Sequence, residues 1–113
     1  TKVDLLRRWL CESGYRFLEE KLVRDKEQLY VVFRVIGGDK RRVSEADALA
    51  GFLLGNDPLY SEYLAQHLAK LRRAAQGLAV SSLSDRDARI AHLQQLIEEL
   101  ERREREWAHG NGT

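Results

Sequence analysis

The sequence predicts an α+β chain built in three steps: a short N-terminal helix, an antiparallel β-hairpin, and two long helices packed as an antiparallel coiled-coil hairpin. Three observations carry that reading. Two neighbouring runs are rich in β-branched and aromatic residues, which suits strands. Two later stretches repeat apolar residues at alternating spacings of four and three, which suits a helical seam. A short apolar-striped stretch ahead of both stops at a glycine.

Residues 1–14 read as the first helix. Thr1 and Asp4 have capping-box spacing, with Asp in the Glu position. Leu5, Leu6, Trp9 and Leu10 form an apolar stripe, and Arg7, Arg8 and Glu12 are assigned to the wet side. Gly14 is the stop, since glycine closes the last turn in a left-handed conformation without steric penalty. The strands then span 15–23 and 28–36, joined by Arg24-Asp25-Lys26-Glu27. Tyr30, Val31, Val32, Phe33, Val35 and Ile36 make the second strand apolar on both faces, so it calls for cover on both. Gly37-Gly38 ends it, and Asp39-Lys40-Arg41-Arg42 forms a basic loop.

Ser44 and Asp47 cap a helical stretch that reaches about Leu54, interrupted at Gly51. Asp57 and Pro58 are a start signal for a helix running to about Val80, with Leu64, Leu68, Leu71, Ala75 and Leu78 as its seam. After a Ser-rich turn, a second long helix covers 85–107, with Ile90, Leu93, Ile97, Leu100 and an exposed Trp107. Residues 110–113 read as a frayed tail. Sequence character thus divides the chain into 1–43, a helix and hairpin lifted from an α/β sheet, and 44–109, an all-helical appendage.

Composition limits function. The 113 residues carry 19 Lys+Arg against 18 Asp+Glu, so any affinity for nucleic acid must come from local patches. No apolar run reaches the ~18–20 residues of a membrane span, and none reads as a secretory leader. One cysteine, Cys11, cannot make an internal disulfide, and a cytoplasmic setting is expected. The chain opens at Thr1 and has no Met, so the natural start is expected upstream.

A complete active site is not expected within these residues. His67, His92 and His109 lie too far apart for metal-ligand spacing and read as exposed or seam-edge side chains. Cys11 lacks an evident base and reads as structural. Gly37-Gly38 lacks the pattern of a phosphate-cradling loop, and Glu19-Glu20 and Glu98-Glu99 read as solvated faces. Two basic clusters remain, Lys70, Arg72 and Arg73 on the first long helix and Lys40, Arg41 and Arg42 on the loop. Phosphate contacts require only flexible cations on an exposed surface, so both clusters are candidate RNA-binding residues.

The order of short motifs adds to this: Leu6-Arg7-Arg8-Trp9-Leu10, Gly14-Tyr15, Glu20-x-Leu22-Val23 and Tyr30, then a glycine-interrupted helix and a helical hairpin. In this order the chain resembles the C-terminal half of the bacterial tRNA (adenine(22)-N(1))-methyltransferases, the TrmK family, most closely over residues 5–36. It departs where the family often has Gly-Pro, because Gly51 is followed by Phe52. The resemblance implies that residues 15–36 are the closing hairpin of a Rossmann-like methyltransferase sheet, with the other strands beside 28–36. It further implies an S-adenosylmethionine-binding domain and catalytic motifs upstream of Thr1, and methylation of N1 of an adenine in the D-loop region. The expected partner is tRNA, without membrane or metal, and the chain is expected to be a monomer. Two other readings are a non-enzymatic coiled-coil dimerisation module, suggested by the seam and Trp107, and an autonomous RNA-binding domain.

Overall fold

The computed structural model describes residues 3–111. Its elements are α1 (Val3–Glu12), β1 (Tyr15–Asp25), β2 (Gln28–Gly37), α2 (Glu45–Ala50), α3 (Tyr60–Ala79) and α4 (Arg86–Asn111). They fall into two compact units, one up to Tyr60 and one from Ser61 onward. The change in sequence character lies earlier, at 43/44. The difference is α2, whose Ala48 packs with Leu10 and Cys11 of α1, Phe17 of β1 and Val43.

In the first unit, α1 ends as its glycine requires. Gly14 has φ 93°, a region where a side chain is strained, and its N–H donates to the Cys11 carbonyl at 3.3 Å. The strands then pair antiparallel, and they run longer than the sequence suggested. Only Lys26 and Glu27 form the turn, with Lys26 at φ 59°. The register slips between Phe17 and Glu19, leaving Leu18 as the extra residue of a β-bulge. The slip explains the burial of β1: Phe17, Glu20 and Leu22 all face the core, although Phe17 and Glu20 are an odd number of residues apart. Phe33 and Val35 of β2 and Phe52 complete this core, and the Phe17 ring lies 4.9 Å from both Phe33 and Phe52. The opposite face of β2 is wet, with Tyr30, Val32 and Ile36 exposed. Of the two covers the sequence called for, the described residues supply one.

The expected face of α1 is corrected. Leu5, Leu6 and Trp9 are exposed, Trp9 by 60%, while Leu10, Cys11 and Arg7 are buried. Burial of Arg7 carries the helix round, because its guanidinium is paired inside. Glu20, read as part of a solvated face, is its partner. The stretch after Ser44 also stops sooner than expected. The Ser44 hydroxyl does accept from the Asp47 N–H at 3.1 Å, but α2 ends at Ala50. Gly51 sits at φ 84°, and a Cβ there would lie 2.8 Å from Leu54 Cδ1.

The second unit buries Tyr63, Leu64 and Leu68 of α3, and Leu96 and Leu100 of α4. Leu71, Ala75, Leu78, Ile90, Leu93 and Ile97 are half-buried. Leu96, absent from the expected seam, is therefore one of its most buried members. Arg72 of α3 and Glu101 of α4 meet at 2.7 Å. Trp107 is half-buried and not exposed, and α4 continues through Gly110 to Asn111, where fraying was expected. The Thr1 half of the capping box and the end of the tail lie outside the described residues. No helix of the described residues is long and apolar enough to cross a membrane.

Candidate nucleic-acid interface

The first unit carries an open cleft of about 700 Å³, lined by Arg8 and Glu12 of α1 and by Lys40, Arg41, Arg42, Val43, Ser44 and Glu45. The loop that forms one wall is held by its backbone. The Gly38 N–H donates to the Gly14 carbonyl at 2.7 Å, and the Arg41 N–H to the Cys11 carbonyl at 3.0 Å. Val43 is buried in the core, so the basic stretch is pinned at its end and in its middle. The Arg41 guanidinium lies 4.9 Å from the centroid of the Phe52 ring, within cation–π range. Lys40, Arg41 and Arg42 are all exposed. The structure thus brings this cluster together and adds Arg8, which sequence reading had assigned only to a wet helix face.

The cluster on α3 is looser. Lys70, Arg72 and Arg73 are all exposed, but the Arg72 side chain is engaged with Glu101 at 2.7 Å. Lys70 and Arg73 are neighbours on the helix surface at i, i+3 spacing. His67 lies inward and meets Tyr63 edge-on, with ring centroids 4.6 Å apart. The mixed-charge run on α4 is an intrahelical ladder. Arg102 bonds both Glu99 and Glu106, and Arg103 bonds Glu99 at 3.1 Å. Arg102 first, then Arg103, holds the Glu99 carboxyl down to about 2.

Sequence reading missed the polar centre of the first unit. Arg7 Nε donates to Glu20 Oε2 at 2.9 Å, with both side chains fully buried. Arg7 Nη1 also donates to the Ala48 carbonyl at 2.7 Å, at the end of α2. Glu20 Oε1 accepts from the Phe52 N–H and from the Leu53 N–H at 2.9 Å. The pair therefore fastens both sides of the Gly51 turn. A proline after Gly51, frequent in the family that the sequence resembles, would have no N–H to donate at the Phe52 position. The signal available in the sequence was slight: Glu20 shares the alternation of Leu22, but only the bulge brings Phe17 onto the same face.

No group of three or more His, Cys, Asp or Glu side chains among the described residues could hold a metal ion. The cleft sets four cations against two carboxylates, which disfavours a sulfonium cofactor and favours an anion. A second, smaller depression lined by Leu18, Glu19, Glu20, Lys21 and Leu53 offers no converging polar groups, because Glu20 is already used inside.

A family model described as TrmK, tRNA (adenine(22)-N(1))-methyltransferase, matches residues 1–103. No curated protein sequence gives a significant match. Among solved structures, the B. subtilis m1A22 tRNA methyltransferase TrmK aligns with TM-score 0.72 at 17% identity, over 88% of this chain and 46% of that one. The Streptococcus pneumoniae protein Sp1610, in complex with S-adenosyl-L-methionine, aligns with TM-score 0.65 at 21% identity, over 91% and 43%. A Streptococcus agalactiae protein of the NADB-Rossmann superfamily gives 0.69 at 20%, over 90% and 43%. The chain spans less than half the length of each of these structures. With a family match over residues 1–103, most of its length, the chain belongs to the TrmK tRNA (adenine(22)-N(1))-methyltransferase family.

Proposed function

We propose that this chain is the C-terminal part of an S-adenosylmethionine-dependent tRNA methyltransferase that modifies N1 of an adenine in the D-loop region. In that role it completes the catalytic sheet and grips tRNA. The family match over residues 1–103 carries the reading. S-adenosylmethionine would be held by the part of the enzyme ahead of these residues, since the cleft here is net cationic.

The hairpin supports the sheet-completing role. The Leu22 N–H points away from β2 and donates to Asp57 Oδ2 at 2.8 Å, so the outer edge of β1 is engaged there. The outer edge of β2 accepts further strands, and its wet face carries Tyr30, Val32 and Ile36, as expected of a strand meant for cover on both sides. The helical part, 44–109, is read as an appendage whose two long helices pack as a coiled-coil hairpin, with the Leu64–Leu68 and Leu96–Leu100 seams as its core. Methyl transfer to N1 of adenine requires its in-plane lone pair in line with the methyl carbon, which is chiefly a positioning task. The cations Lys70, Arg72, Arg73, Lys40, Arg41 and Arg42 would supply that positioning through the RNA backbone. The dimerisation-module reading loses one of its two supports, because Trp107 is half-buried.

The test uses the full-length enzyme that contains this chain and a tRNA transcript read by primer-extension stops at the modified adenine. Charge reversal of all six cations should lower kcat/KM at least tenfold, mainly through KM. A full-length enzyme that leaves every tRNA adenine unmethylated would remove the reading.

A further inference from the structure

We propose that the cleft between α1 and the 38–44 loop is a preformed seat for RNA backbone phosphates, in which Arg8 acts together with Lys40, Arg41 and Arg42. The proposal rests on the tRNA reading and deepens it, by separating one site and one additional residue from a general basic surface.

Five observations converge on it. Arg8 comes from α1 and the other three cations from a loop more than thirty residues later, and one concave surface holds all four. The loop is tied through its backbone to the end of α1, at Cys11 and Gly14, so the cations are positioned before any ligand arrives. Such preorganisation lowers the entropy lost on binding. Arg41 is parked on Phe52, whose ring is itself wedged against Phe17, so its fork of donors is held in place. Arg8, Lys40 and Arg42 form no ion pair among the described residues, whereas on α3 the Arg72 guanidinium is already occupied by Glu101. Glu12 and Glu45 also line the cleft, leaving an excess of two positive charges for a ligand with two phosphates. Phosphodiesters are such a ligand class, and their recognition requires charge and reach but no base-reading geometry.

The experiment measures binding of a fluorescein-labelled tRNA transcript to this 113-residue chain over a salt series. The test variant is Arg8→Glu/Arg42→Glu, since neither side chain is part of the core. Its thermal melt by circular dichroism should match that of the unaltered chain. Arg41→Glu is the second variant, which also loses the Phe52 contact. We expect binding at least tenfold weaker for Arg8→Glu/Arg42→Glu. The slope of log K against log salt should fall by between about one and two, following the roughly 0.7–0.9 released counterions per phosphate contact. Arg8→Lys/Arg42→Lys should stay within about threefold, because lysine serves phosphate as a point charge. If the Glu variants bind like the unaltered chain with the same slope, the seat is wrong while tRNA binding itself stands. Absence of binding by the unaltered chain at low salt, beside a full-length enzyme that methylates tRNA, also overturns the seat alone. Strong cleft-dependent binding beside an enzyme inactive on tRNA would instead uphold the seat and remove the methyltransferase reading.

Discussion

Arg7 and Glu20 show how one buried pair shapes the first unit. The two side chains are fully buried at 2.9 Å, and between them they bond to the Ala48, Phe52 and Leu53 backbone across the Gly51 turn. A paired charge of this kind adds little net stability, yet removing one partner leaves the other buried and uncompensated, a loss of about 3–5 kcal/mol. Glu20→Gln keeps shape and hydrogen-bonding capacity but removes the charge, and Arg7→Met keeps much of the stem. Each single variant should lower unfolding stability, measured by urea denaturation, by about 3 kcal/mol or more on that scale. The double variant should be less destabilised than the sum of the two. Additive losses would show that the two residues act separately. The sequence hid this pair because charged residues are rarely fully buried, so Arg7 reads as the wet edge of a stripe made by Leu5, Leu6 and Trp9.

Elements were legible where periodicity is long and local chemistry is strong. The Gly14 stop, the Ser44 cap and the Leu64–Leu68 spacing are each local rules, and the structure follows them. The Asp57–Pro58 start opens a turn instead, in which Asp57 accepts from the Leu59 N–H, and α3 begins at Tyr60. What failed was nonlocal. The bulge at Leu18 shifts the face of β1 by one residue, so that Phe17 and Glu20 share the core side, and nothing in the residues around it announces the slip. The seam of α4 was misassigned at Leu96 because two interleaved apolar rows, Leu93–Ile97 and Leu96–Leu100, compete in one helix. The basic loop was legible as a cluster, but the contribution of Arg8 to it depends on tertiary placement. Along α4, Glu99 is held down to about 2 by Arg102 and Arg103, from an ordinary value near 4.5. A folded value below the unfolded one stabilises at neutral pH. That contribution is complete above pH 4.5 and is lost as the pH falls toward 2. The thermal midpoint of the chain should therefore drop between pH 5 and pH 2.5 by more than that of Glu99→Gln. Equal drops in both proteins would show that the ladder is solvated decoration, as exposed ion pairs often are.

For the whole molecule, the decisive question is what lies along β2. In an antiparallel pair, residues opposite each other turn their N–H groups either both toward the partner strand or both away from it. The Leu22 N–H points outward to Asp57, so that of its partner Val31 points outward from the other edge, as do those of Leu29 and Phe33, two residues away on either side. In the chain by itself these amides face solvent, and hydrogen exchange should find them fast. The amides of Tyr30 and Val32 point into the hairpin and should exchange more slowly. If the hairpin closes a methyltransferase sheet, then in the full-length enzyme a neighbouring strand takes up the outward groups. Leu29, Val31 and Phe33 would then slow by orders of magnitude, while Tyr30 and Val32 change far less. The same neighbour would let helices cover Tyr30, Val32 and Ile36, which are wet here. This alternation along one strand separates sheet completion from docking on the exposed face. A partner covering only that face would leave the three outward amides as fast in the full-length protein as in this chain, and the sheet-completing role would then fail.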